Sequence, residues 1–239
     1  MSGCLYLIPV PLGAMGDADP AAVLPAPVLA TTRRLRHFVA ENAKTARAFL
    51  KSVGMPLPLQ EIEIAELSEH TPKAALPALL RPLLAGADLG LVSEAGCPAV
   101  ADPGADLVAL AQTREIRIVP LVGPSSLLLA LMASGLNGQC FAFHGYLPAK
   151  EEARKSALMA LEKESRHKRQ TQIFIETPYR NTALFATLLR CAHPATRLTL
   201  ASDLSLPTES IRTRSIADWR HTESPELERR PTVFLLLAA

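Results

Sequence analysis

Short apolar runs alternate with segments of helical period along the first half of the chain, and this alternation restricts the fold more than any other feature. Residues 5–10, 89–93 and 116–121 are compact apolar runs of strand length, and residues 62–67 alternate Ile62 and Ile64 with the acids Glu61 and Glu63. Such runs read as buried or half-buried strands. Between them, residues 43–53 place Ala46, Phe49, Leu50 and Val53 at helical spacing, and Gly54 and Pro56 stop the helix. Residues 74–84 and 103–113 read as two further helices, whereas the Pro-bounded stretch 20–27 reads as an irregular connection. A strand, a helix and the next strand in this order require parallel strands joined by crossovers.

Val122-Gly123-Pro124 reads as a hinge, which divides the chain into an N-terminal α/β domain, 1–121, and a C-terminal α/β domain, 122–239. Ser125 is placed to cap an apolar helix at 126–134 that Gly135 ends. Strands are expected at 141–146, 172–176, 198–202, 210–213 and 232–237, with helices at 151–164 and 182–191. Consecutive strands without intervening helices imply a mixed second sheet. At 239 residues the chain has room for two such domains.

Charge and cysteine usage exclude several classes. Lys plus Arg is 25 and Asp plus Glu is 23, so a general basic coat for nucleic acid is absent, although a local patch is not excluded. Cys4, Cys97, Cys140 and Cys191 form no C-x-x-C pair, and there is no H-E-x-x-H, so neither a disulfide framework nor a metal site is expected. The longest purely apolar run, 127–133, is far shorter than the roughly 20 residues of a membrane span, and no basic-then-apolar leader opens the sequence. These features lead to the expectation of a cytoplasmic chain with reduced thiols, no membrane segment and no metal.

In open α/β sheets ligands bind beyond the carboxyl ends of the strands. Three segments qualify: Pro9-Val10-Pro11-Leu12-Gly13, residues 93–104, and Gly123-Pro124-Ser125-Ser126. The middle segment concentrates glycines, prolines and the acids Glu94 and Asp102. Its small residues Ala95, Gly96 and Ala99 allow close approach of a ligand to the backbone. Glu94 or Asp102 is suited to accept hydrogen bonds from a ribose or an amine, with a tight turn in which Asp102 caps the next helix as the alternative. No G-x-G-x-x-G or G-x-x-x-x-G-K-[ST] is present, and an acidic loop suits a cationic or neutral ligand better than a phosphate.

Taken in order, the Pro-rich loop after the first strand, the Glu94-Ala95-Gly96-Cys97-Pro98 loop with Asp102-Pro103-Gly104, the Gly123-Pro124-Ser125-Ser126 hinge and Phe174-Ile175-Glu176-Thr177-Pro178-Tyr179-Arg180-Asn181 resemble the tetrapyrrole methylase family. The similarity runs from about Leu5 to Leu237. Within the family, the motif order is most similar to the branch that methylates a ribose 2′-hydroxyl of small-subunit ribosomal RNA. The resemblance implies two α/β domains with S-adenosylmethionine in the cleft between them, and a homodimer. It implies that Pro9 and Gly13 shape the cleft mouth and that Glu94, Ala95, Gly96 and Val100 line the cofactor pocket. Ser125, Ser126 and Leu128 would close the pocket, and Thr177, Ala201, Pro231 and Thr232 fall on matching strand ends.

Several motifs depart from the branch. Where it usually has Ala-Glu-Asp-Thr-Arg, this chain has Ala40-Glu41-Asn42-Ala43-Lys44, with Thr45 and Arg47 further on, and the usual Glu-Ser-Pro-His-Arg is Glu176-Thr177-Pro178-Tyr179-Arg180. The usual Ala-Arg-Glu-Leu-Thr-Lys is Ala201-Ser202-Asp203-Leu204-Ser205-Leu206, which loses a basic pair. The pattern resembles a sister group with a shifted acceptor.

For transfer to a hydroxyl, a general base is useful. Glu41 is the first candidate, with an acid at a helix N-terminus as its structural alternative. Glu176 is the second, with an ion pair to Arg180 as its alternative, and Arg180 is suited to a substrate phosphate or carboxylate. Tyr179 reads as a base-stacking or a core residue, His144 as a hydrogen-bonded core or rim residue with a catalytic role as its alternative, and Cys97 as a packing residue. Arg33, Arg34 and Arg36, and Arg166, Lys168 and Arg169, are two basic clusters that read as RNA contacts or as solvated faces. The expected activity is S-adenosylmethionine-dependent methyl transfer to ribosomal RNA or the small ribosomal subunit. Methylation of a tetrapyrrole-like small molecule, or cofactor binding without turnover, are the alternatives.

Overall fold

The computed structural model describes residues 2–13 and 19–239. The chain forms two compact units, Met1–Ser125 and Ser126–Ala239. The first unit holds strands β1 (Leu5–Ile8), β2 (His37–Ala40), β3 (Glu63–Glu66), β4 (Leu89–Val92) and β5 (Ile118–Pro120). They form one sheet in the order β3-β2-β4-β1-β5, with every pairing parallel.

Helices cover both faces of this sheet, as a parallel sheet requires. On one face lie α1 (Pro20–Val23), α2 (Ala26–Arg34) and α3 (Ala43–Val53), and Leu24, Leu29, Phe49 and Leu50 pack on Ile8, Phe38 and Val92. On the other face, α4 (Leu76–Leu79), α5 (Arg81–Leu84) and α6 (Gly104–Thr113) bring Leu76, Leu80, Leu83 and Leu107 against Leu5, Val39 and Leu91. Gly90, in the central strand, lies so close to Phe38 that an added Cβ would come within 2.8 Å of its ring.

Two expectations are corrected here. Residues 20–27 are not an irregular connection. Pro20 sits in the first turn of α1 behind the Asp19 cap, and α2 begins directly after Pro25. Proline lacks only a donor that the first turn does not use, so prolines here start helices. Conversely, residues 74–84 are not one helix. A 3₁₀ turn at Lys73–Ala75 is followed by α4 and α5, with Pro77 and Pro82 each in a first turn. Neither proline fits a helix interior, and the chain restarts at each.

The second unit contains α7 (Ser126–Ser134), β6 (Phe141–Tyr146), α8 (Glu151–Lys168), β7 (Thr171–Ile175), α9 (Asn181–Cys191), β8 (Arg197–Ser202), β9 (Ser210–Ser215), α10 (Ile216–Arg220) and β10 (Thr232–Leu237). The strand order is β6-β7-β10-β8-β9, with β6 parallel to β7 and the other pairs antiparallel. The sheet is mixed, in keeping with the run of consecutive strands. Its core joins Phe174, Leu198, Leu200 and Phe234 to Leu158 of α8, Leu184 and Leu188 of α9, and Trp219 of α10. Phe174 stacks on Phe234 at 5.9 Å, and Trp219 meets Phe185 edge-on at 5.5 Å. Among the described residues no helix is long and apolar enough to cross a membrane.

Candidate functional site

In the first unit the segments after β1, β4 and β5 come together. Val10 and Gly96 exchange backbone hydrogen bonds of 2.9 and 3.1 Å, which joins the strand-one loop to the acidic loop. Gly96 has φ +70°, and a Cβ there would lie 3.1 Å from Leu12 and 3.4 Å from the Pro124 carbonyl. Only glycine meets both demands without strain. Cys97 donates to the same Pro124 carbonyl at 3.4 Å, and its thiol is pushed up by burial, so it is held as a packing group.

The acidic loop is locked from within. Ser93 donates to the Gly96 carbonyl at 3.0 Å, and one Asp102 oxygen accepts from the backbone of Gly104 at 2.6 Å and of Ala99 at 3.3 Å. Ala99 and Ala101 have φ of 65° and 54°, a conformation that costs alanine energy and that these bonds hold in place. Asp102 thus bonds the first amide of α6 from one residue before the cap position, which Pro103 holds. Burial raises its pKa, and the two backbone donors oppose the rise. Glu94, Ala95 and Val100 are exposed along the loop, whereas Pro9 is buried and Gly13 is partly exposed.

Glu41 follows β2 on the same edge. Asn42, not Glu41, caps α3: its side chain accepts from Lys44 N at 2.8 Å and Thr45 N at 3.4 Å, and no acid lies in the first turn of the helix. The helix-acid alternative for Glu41 is therefore not what the structure has. Its carboxyl pKa is raised from the ordinary value, first by burial and then by the negative charges of Asp102, Glu94 and Glu69. Thr45, which sequence reasoning did not place in the site, lies with its hydroxyl 2.5 Å from a Glu94 oxygen and so ties α3 to the acidic loop. The clue was its position three residues after the Asn42 cap, where a side chain reaches back past the helix start. Among the described residues no group of three or more His, Cys, Asp or Glu is arranged to hold a metal ion.

In the second unit the singled-out strand ends share one end of the sheet. Val233 pairs with Ile175 and Thr232 with Ser202, so Glu176 and Thr177, Ala201 and Ser202, and Pro231 and Thr232 are neighbours there. The Thr232 and Ser202 hydroxyls are 2.8 Å apart. Ala201 is wholly buried in β8, with β10 and β9 paired on its two sides. Ser125 closes the first unit, and Ser126 and the half-exposed Leu128 lie on α7.

Glu176 is buried and pairs with Arg180, whose Nε and Nη2 donate to its Oε1 at 3.0 and 2.6 Å. The ion-pair alternative is the observed one. Tyr179 is 73% exposed, which rules out the core alternative, and the Arg180 guanidinium lies 5.6 Å from its ring centroid. His144 contacts Gln172 at 2.5 Å, as a hydrogen-bonded rim residue would.

The residues of the two basic clusters are all exposed, and four of them also contact groups of the chain itself. Arg33 donates to the Val53 carbonyl, Arg34 lies over Tyr6, Arg166 donates to the Ala239 carbonyl and Lys168 pairs with Glu164.

The chain is 33% identical over 226 residues to the ribosomal RNA small subunit methyltransferase I of Pseudomonas aeruginosa, covering 93% of this chain and 75% of that protein. It is 32% identical to the protein of the same name from Vibrio cholerae, covering 90% of this chain and 69% of the relative. With the Streptococcus pyogenes protein it shares 35% identity and covers 61% of that longer chain. No family model matches. Among solved structures, the methyltransferase CobJ superposes with a TM-score of 0.64 at 17% identity, over 100% of this chain and 95% of the other. A uroporphyrin-III-C-methyltransferase from Thermus thermophilus gives 0.54 at 18%, over 99% and 93%. These two likenesses establish the fold.

Proposed function

The chain belongs to the ribosomal RNA small subunit methyltransferase I branch of the tetrapyrrole methylase family, and from that premise we propose that it transfers a methyl group from S-adenosylmethionine to a ribose 2′-hydroxyl of small-subunit ribosomal RNA. The observation that carries the reading is the joining of three strand-end loops beside Glu41, Glu94 and Asp102. A cationic sulfonium cofactor fits such an acidic rim, and the close backbone at Gly96 suits a ligand pressed against the loop.

In this reading Pro9, Gly13, Glu94, Ala95, Gly96 and Val100 hold the cofactor from the first unit. Ser125, Ser126, Leu128, Thr177, Ala201, Pro231 and Thr232 contribute further contacts. When bound, the cofactor supplies an electrophilic methyl on positively charged sulfur. The chain's task would be to hold the acceptor hydroxyl against that methyl and to take its proton, and Glu41 would receive the proton. Its raised pKa brings the carboxylate nearer the range in which a base is effective. Arg180 acts on the substrate rather than on the proton, and the buried Glu176 positions it. The chain works as a cytoplasmic homodimer.

The Asp-to-Asn change at Asn42 is no argument for a protein without turnover. The residue's work is capping, which asparagine and aspartate do equally well. The test is incubation with radiolabelled S-adenosylmethionine and small ribosomal subunits from a strain lacking the gene. Label on the RNA is the expected result. Cofactor binding without label on RNA would redirect the reading to a small-molecule acceptor, and no cofactor binding would overturn it.

A further inference from the structure

Beyond the cofactor loops, the turn after β7 presents chemistry that the proton-transfer scheme leaves unused. Tyr179 is 73% exposed. Arg180 lies 5.6 Å from its ring centroid, a cation–π distance. The guanidinium is fixed in plane by a carboxylate that gives up solvent to do so: the Glu176 side chain is 0% exposed. Its Oε1 accepts from Arg180 Nε at 3.0 Å, Arg180 Nη2 at 2.6 Å and Thr177 N at 2.7 Å. Its Oε2 is buried with no partner among the described residues. A buried acceptor without a donor is costly to keep, so a structure that retains one points to a donor from outside the chain, here an ordered water or a ligand hydroxyl or amine. Arg180 Nη1 makes no hydrogen bond among the described residues.

We infer that Tyr179 and Arg180 form a seat for one unpaired nucleotide of the RNA substrate, with Glu176 as the residue that positions Arg180. The inference rests on the RNA reading of the preceding subsection. An exposed aromatic ring beside a fixed guanidinium matches the two chemistries of a nucleotide, a planar base that stacks and a phosphate that takes hydrogen bonds from a planar cation. A base paired within a duplex is not free to stack in this way, so the seat selects single-stranded or splayed-out RNA. In the two basic clusters, whose residues are all exposed, Arg33, Arg166 and Lys168 each also hold a partner within the chain.

The test uses the full chain and a fluorescein-labelled short single-stranded RNA of mixed sequence, alone and annealed to its complement. Tyr179→Ala is expected to weaken single-strand binding about tenfold, within the range of one base–aromatic stack, and to leave duplex binding unchanged. Tyr179→Phe retains single-strand affinity because the ring remains. Arg180→Lys loses affinity because an ammonium lacks the planar fork. With small ribosomal subunits as substrate, Tyr179→Ala raises KM more than it lowers kcat, while calorimetry shows unchanged S-adenosylmethionine binding, which also certifies the variant's fold. Equal affinity of Tyr179→Ala and the parent for the single strand, or equal loss on single strand and duplex, overturns the seat. If the parent labels ribosomal RNA and Tyr179→Ala does so with the same KM, only the seat fails. If the parent labels no RNA, the functional reading fails and the seat falls with it.

Discussion

At Glu41 the same forces that prepare a base also cost the fold. Burial and the charges of Asp102, Glu94 and Glu69 raise its pKa above the ordinary 4.5, so the folded state holds this proton more tightly than the unfolded chain does. Stability contributed by the protonated form is present at low pH and is lost as pH rises from 4.5 through the raised folded value. Glu41→Gln removes the charge and keeps the shape. It is expected to raise Tm at neutral pH while slowing methyl transfer and leaving cofactor affinity intact, checked by calorimetry and a labelling assay. A variant with full rate shows that Glu41 is not the base. The pH profile gives a second check. The acidic limb of kcat/KM, which reports the free enzyme, should lie above the ordinary carboxylate value, because the base form appears only above the raised pKa. Asp102→Asn keeps an acceptor for Gly104 and Ala99 but removes a repelling charge, so it should move that limb to lower pH. An unmoved limb would disconnect Asp102 from the titration.

Among the elements, α3 shows how far a sequence carries and where it stops. Its apolar spacing, its stop at Gly54 and both of its boundaries were readable, and Gly54 takes the left-handed φ of 75° that ends helices. What spacing did not reveal is that Asn42 occupies the cap and displaces Glu41 outward, since either residue suits a helix start. Asn42→Ala is expected to cost about 1 kcal/mol, a Tm loss of a few degrees, whereas Asn42→Asp keeps the cap. The added charge in Asn42→Asp, beside Glu41, should also push the acidic limb of kcat/KM upward. Thermal melts and pH profiles of both variants check the pair. The stretch from Lys73 to Leu84 was misread as one helix because apolar spacing outweighed Pro77 and Pro82. Residues 20–27 were misread the opposite way, because proline marks a helix start as readily as a loop. The three site loops were legible as strand ends. The Val10–Gly96 bridge and the Thr45–Glu94 contact were not, because both depend on strands and helices far apart in sequence.

For the molecule as a whole, the near balance of 25 basic and 23 acidic side chains decides how it can hold RNA. A protein that grips the phosphate backbone with many free cations releases many counterions, and its affinity falls steeply with salt. Here Arg33 and Arg166 are spent on backbone carbonyls and Lys168 on Glu164, and Arg180 is held by a buried carboxylate. If the Tyr179 turn carries the RNA, as proposed, few of the chain's cations need meet phosphates, and recognition rests on stacking. Single-stranded RNA affinity is therefore expected to fall only gently with salt, with a log–log slope of about −1 to −2, the release from two or three phosphates. The measurement is fluorescence anisotropy of the labelled single strand across a salt series. A slope several times steeper would mean that a basic surface, and not the Tyr179 turn, carries the RNA. The same series on Tyr179→Ala separates the two terms: losing a stack lowers every point together and leaves the slope unchanged, whereas losing a phosphate contact flattens it.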